Sequence, residues 1–173
     1  MLKNTFCHIS GIGLKTERQL WASGILDWEG FFQEYRLRAA IPRKETIHRT
    51  LESSLDHLKN NNPVYFQESM PSHLHWRLFP EFREKAAYVD IETTGLDFFN
   101  DITTIALYDG KLIRHYVNGR NLDAFVDDIS DYNVIISYNG KCFDVPFLER
   151  YFRIKMKQAH IDRKYSINPV LRK

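Results

Sequence analysis

The chain has little of what marks several protein classes. It holds two cysteines, six prolines and eight glycines in 173 residues. Cys7 and Cys142 show no metal-type spacing, which excludes a disulfide framework and a zinc finger; they are expected to be reduced packing residues of a cytosolic protein. No stretch reaches the ~20 apolar residues that span a bilayer, so no membrane role is expected. Met1 to His8 lack a long apolar run and a small-residue cleavage site, so no secretory signal is visible and a cytoplasmic location is expected. There is no internal repeat and no low-complexity segment.

What is present is a core-forming composition. Hydrophobic residues make up 43% and aromatics 14%, which excludes a disordered chain. The net charge of +2 conceals a segregation. Residues 86–149 carry 4 basic and 11 acidic groups, whereas residues 150–173 carry 8 basic and 1 acidic. The acidic stretch suits cation ligation and the basic one a phosphate backbone. A solvated helix face followed by a frayed tail would give the same basic run.

The segment Ala86 to Leu96, AAYVDIETTGL, is the most informative. It reads as a buried strand ending in a glycine turn. Side chains alternate across a strand, so Asp90 and Glu92 are neighbours on one face and Val89 and Ile91 share the other. Adjacent carboxylates at the end of an apolar strand are costly without a cation, and an all-oxygen donor set suits magnesium or manganese. A second apolar run, Val134 to Ser137, ends in Tyr138-Asn139-Gly140, and Asp144 follows at the start of a helix, where negative charge is favoured. Phe143, Phe147 and Leu148 would pack that helix onto a sheet. Function in parallel α/β sheets gathers beyond the carboxyl ends of the strands, so Asp90, Glu92 and Asp144 can converge.

The pairing of YVDIETTGL with SYNGKxFDxPFL resembles the DEDD superfamily of 3′→5′ exonucleases, and its YprB-type ribonuclease H-like subgroup in particular. Trp76 to Phe82, WRLFPEF, resembles that subgroup's lead-in, and the similarity runs over about residues 74 to 162. The resemblance implies an α/β ribonuclease H-like mixed sheet flanked by helices. It implies hydrolysis of a phosphodiester at a nucleic-acid 3′ end, with a single-stranded end as partner, by two divalent ions. Asp90 would bridge the ions, Glu92 would hold the one that carries the attacking water, and Asp144 would ligate the second. Thr93, Thr94, Gly95 and Leu96 would line the terminal-base pocket, with Asn139 and Phe143 beside it.

The superfamily takes a fourth carboxylate from a late helix, four residues after a His or Tyr. Asp162 lies two residues after His160, and the position four after Tyr165 is Pro169. The site is therefore expected to be incomplete, in a chain truncated before that helix. The expected function is a metal-dependent 3′→5′ exonuclease-type domain, inactive if the missing ligand is essential. The alternative is a non-catalytic nucleic-acid-binding module or degenerate remnant of the fold.

Upstream, Gly11 and Gly13 bracket a turn before a helix through Leu14, Leu20 and Trp21, which Gly24 would end. This stretch resembles the hairpin and second helix of a helix-hairpin-helix motif, with Ser10 where a proline is usual and no full first helix. The resemblance implies that Gly11, Gly13 and Lys15 contact a phosphate backbone; a plain helix-capping turn is the alternative. Asp27 should cap the next helix. Ile47, Leu51, Leu55 and Leu58 predict an amphipathic helix from Pro42 to about Asn60. His48, His57, His73 and His75 fit no zinc pattern. The expected organisation is a helical region at 1–62, a linker and lead-in at 63–85, and the ribonuclease H-like domain at 86–173. Strands are predicted at about 86–92, 102–108, 111–117 and 133–137, with helices around 120–129 and 143–153.

Overall fold

In the computed structural model the described residues are 1–37, 43–97 and 99–165. The chain divides into two compact units, Met1–Glu81 and Phe82–Lys173.

The first unit is helical. After a 3-10 turn (Leu2–Asn4) come α1 (Leu14–Ala22), α2 (Trp28–Leu37), α3 (Lys44–Lys59) and α4 (Pro63–Ser69), then a 3-10 segment (Ser72–Leu78). A single helical turn, α5 (Phe79–Phe82), lies at the division between the units. Gly24, at φ +93°, closes α1, with the Ile25 amide donating back to Leu20 O at 3.0 Å. Asp27 Oδ1 accepts from the Gly30 amide at 2.8 Å, the cap that its position predicts. The predicted start of α3 at Pro42 lies outside the described residues. Residues 63–81, expected as lead-in, carry α4 and the 3-10 segment, because Asn62 caps a new helix with Pro63 at its first turn.

A buried ion pair organises this unit. The fully buried Glu17 carboxylate accepts from Arg77 Nη1 at 2.9 Å to each oxygen, and from the amides of Phe6 and Cys7 at 2.7 and 3.2 Å. Arg77 Nη1 also reaches Thr5 Oγ1 at 3.0 Å. Four hydrogen-bond contacts from three donor nitrogens offset the desolvation of this carboxylate.

The second unit is a five-stranded mixed sheet of order β3-β2-β1-β4-β5. Its strands are β1 (Ala86–Thr93), β2 (Ile102–Tyr108), β3 (Ile113–Val117), β4 (Val134–Ser137) and β5 (Ala159–Asp162), with α6 (Ala124–Ser130) before β4 and α7 (Asp144–Phe152) between β4 and β5. β1, β2 and β3 pair antiparallel, while β1–β4 and β4–β5 are parallel. The β2–β3 turn follows from Asp109-Gly110: Asp109 Oδ1 takes the amides of Lys111 and Leu112 at 2.9 and 2.8 Å, and Gly110 sits at φ +91°. Val89 and Ile91 of β1 join Ile105, Leu107, Phe125, Ile129, Ile135, Phe147 and Leu148 in one core, which is why α6 and α7 lie on that face. This is the ribonuclease H-like α/β fold, with the helical region ahead of it.

Candidate active site

β1 carries Asp90 and Glu92 exposed on one face, with buried Val89 and Ile91 on the other. Two-residue alternation alone produces this arrangement. The carboxylates pair across β2 with Ala106 and Thr104, residues that offer no charge. A register irregularity between Glu92 and Thr93 ends the regular ladder where the loop begins.

That loop is held by its own polar groups. Thr93 Oγ1 donates to Gly95 O at 2.7 Å. Thr94 Oγ1 donates to Asn100 Oδ1 at 3.2 Å and accepts from the Asp101 amide at 3.0 Å. A Cβ on Gly95 would come within 2.9 Å of the Asn100 side chain, which would have to shift to admit it. The two threonine hydroxyls are thus committed to the loop. Leu96 and Phe99 project from it, 84% and 98% exposed. Leu96 is expected near the site from its place after the glycine turn, whereas Phe99 has no sequence signal beyond being an aromatic beside polar neighbours.

Asp144 opens α7 and is buried, its carboxyl pushed up to about 7 by desolvation first and then by the charges of Asp90 and Asp162. The charge of Asp90 thus acts on Asp144. Gly140 lets the loop turn against them: a Cβ there would overlap the Ser137 side chain and approach Asp144 Oδ2 to 2.8 Å. Asn139 holds the left-handed conformation at φ 63°. Phe143 is half-buried against the core, its ring 5.5 Å from that of Phe147.

Asp162 is the buried carboxylate that organises this end of the sheet. Its Oδ1 accepts from the amides of Asn139 and Lys164 at 2.9 and 3.0 Å, and its Oδ2 from that of Lys141 at 3.0 Å. With both oxygens engaged, it acts as a loop clamp. Ser137 Oγ and His160 Nε2 lie 2.7 Å apart, a buried pair 23 residues apart in sequence that no local spacing signals.

Asp90, Glu92 and Asp144 form no ion pair with a basic side chain among the described residues. Neighbouring acids without a cationic side chain, all with oxygen donors, suit a hard divalent ion. Among the described residues no three acidic, histidine or cysteine side chains are grouped closely enough to hold a metal. The donor chemistry therefore fits, and a closed three-ligand cage is not formed.

In the first unit, Gly11 stands at φ +80° and Gly13 is the residue before α1, with no side chain capping the helix. The Arg43 guanidinium lies against Gly11, where a Cβ would overlap it. Lys15 is exposed in the first turn of α1. Among the described residues, the 3-10 turn Leu2–Asn4 comes before this segment.

The sheet order and the flanking helices give the second unit a ribonuclease H-like fold. A family model of the RNase_H superfamily matches residues 87–171. Among solved structures, the family B DNA polymerase of the hyperthermophilic archaeon Pyrobaculum calidifontis matches at 26% identity and a TM-score of 0.34, over 39% of this chain. The chain spans 11% of that polymerase. No curated protein matches the chain.

Proposed function

We propose that the second unit is a metal-dependent 3′→5′ exonuclease-type domain of the DEDD kind, acting on single-stranded nucleic-acid ends. The observation that carries the reading is the raised Asp144 carboxyl beside Asp90, with Glu92 on the same strand face as Asp90. Enzymes keep such mutually repelling acids where a charged ligand or a reacting group will relieve them. Asp90, Glu92 and Asp144 would hold magnesium or manganese, which would supply a Lewis acid and an activated water. The protein's own part is to hold the acids apart from any basic side chain and to fix Asp144 against Gly140. Leu96, Gly95 and Asn139 would border the 3′-terminal nucleotide, with Thr93 and Thr94 shaping the turn. Phe143 would support the site from the core side. In the first unit, Gly11, Gly13 and Lys15 would contact a phosphate backbone, a reading supported by the uncapped start of α1 and the Arg43 guanidinium at the turn.

The test is degradation of a 5′-labelled single strand with manganese, set against Asp90→Ala/Glu92→Ala. Stepwise shortening that the double variant abolishes is the expected result. Metal-dependent binding without shortening would favour the second reading, a non-catalytic nucleic-acid-binding module.

A further inference from the structure

We propose that Tyr138, Lys141, Arg163 and Lys164 form a rim that receives the backbone of a single-stranded nucleic acid beside the acidic site. The inference rests on the nuclease reading and extends it to how the strand is held.

The geometry begins with Asp162. Its carboxylate takes three amides, from Asn139, Lys141 and Lys164, and so ties the loop after β4 to the turn after β5. The Arg163 amide adds a fourth link, donating to Ser137 O at 2.9 Å. Two segments far apart in sequence are thereby fixed as one edge. Tyr138 is 69% exposed on this edge. Gly140, in the same loop as Tyr138 and Lys141, lies against the Asp144 carboxylate, where a Cβ would come within 2.8 Å of Oδ2. The rim is therefore adjacent to the proposed site.

Among the described residues its cations have no carboxylate partner. Neither Lys141 nor Arg163 pairs with a carboxylate among the described residues, and Lys164 Nζ donates to the neutral Asn139 Oδ1 at 2.9 Å. Asp162, the acid between these cations, already has its charge met by amides. Cations interleaved with an exposed aromatic suit a single strand, whose phosphates take the charge and whose bases stack.

Topology also divides the basic C-terminal run. Arg153, Lys155 and Lys157 lie between the end of α7 and the start of β5. In a parallel strand–helix–strand unit that is the opposite end of the sheet from Arg163 and Lys164. The run is thus two separate surfaces, and the second supplies a matched control.

The experiment is fluorescence anisotropy of a labelled dT12 oligonucleotide in EDTA, which prevents cleavage, across a salt series. Lys141→Gln/Arg163→Gln should weaken binding at least ten-fold and lower the slope of log K against log salt by about 1.4, from a slope of about 0.7 per phosphate contact. Lys155→Gln/Lys157→Gln, with the same charge change, should leave the slope as it is. Tyr138→Ala should weaken binding several-fold and Tyr138→Trp should restore it. Equal effects from the two double variants, or none from either, would overturn the rim. If manganese-dependent shortening persists in that case, the nuclease reading stands without it. Loss of both binding and shortening in the unmodified chain would remove both. A thiol probe adds an independent readout. Cys142 is exposed, whereas Cys7 is buried with its thiol pushed up to about 12, so alkylation reports on Cys142. Bound dT12 should slow it, and an unchanged rate would count against the rim.

Discussion

The amide of Asn139 donates to Asp162 Oδ1 at 2.9 Å across a sequence separation of 23 residues. That bond lets a strand-end carboxylate on β5 hold the loop from which Asp144 projects. Asp162 is needed for shape, and its three amide partners leave it little capacity for anything else.

Replacing Asp162 by Ala should cost about 2–4 kcal/mol, since three half-buried amides lose their acceptor. Thermal melting checks the loss. Asp162→Asn, which keeps one carbonyl oxygen, should lie between the two.

Gly140→Ala places a methyl where Ser137 and the Asp144 carboxylate already sit. The loop must move, at a cost of about 1–3 kcal/mol. Manganese should stabilise this variant less than the unmodified chain, because the shift displaces Asp144. Equal metal-induced shifts in Tm would show that the loop accommodates the methyl elsewhere.

Asp144→Asn should stabilise the metal-free protein at pH 8. The folded-state carboxyl is raised from 3.8 to about 7, so the folded protein holds a proton that the unfolded chain releases. Its stability contribution is complete below pH 3.8 and is lost as pH rises through 7. The variant should gain about 1–3 kcal/mol at pH 8, shrinking to nothing near pH 4. It should also lose any stabilisation by manganese.

His8 gives the first unit an acid sensitivity of opposite sign. Its ring is buried between Trp28 and Phe66, at centroid distances of 5.3 and 5.8 Å, with Nε2 2.9 Å from Ser54 Oγ. Burial lowers its pKa from 6.5 to about 4, against a smaller opposing effect of the Thr5 backbone. The unfolded chain binds the proton first, so stability falls as pH drops from 6.5 to 4 and levels off below. The loss should be on the order of 3 kcal/mol. In His8→Phe the denaturant midpoint should change far less over that window.

Glu17→Gln should destabilise the first unit by about 3–5 kcal/mol, by leaving the Arg77 guanidinium buried without its counter-charge. A double variant, Glu17→Gln/Arg77→Met, should recover part of that loss in urea unfolding.

The sequence by itself determined the strands and their faces. Alternation in AAYVDIETTGL separates Asp90 and Glu92 from Val89 and Ile91, because a strand has a fixed period of two. Asp109-Gly110 fixed the hairpin and Asp27 fixed a helix start, because these residues bond to their own neighbouring amides. Such local rules need no knowledge of the rest of the chain. Other features required partners 20 to 70 residues away. Arg77, read as part of a lead-in, is the counter-ion of Glu17 within the first unit, a relation that no local spacing encodes. The basic run from Arg150 looked continuous, and only the parallel crossover puts Lys155 and Arg163 at opposite ends of the sheet. Asp162 became a clamp because parallel pairing of Ser137 with Asp162 brings it under the amides of a loop 23 residues earlier. Local geometry follows from backbone stereochemistry, whereas charge placement and amide satisfaction depend on which segments folding brings together.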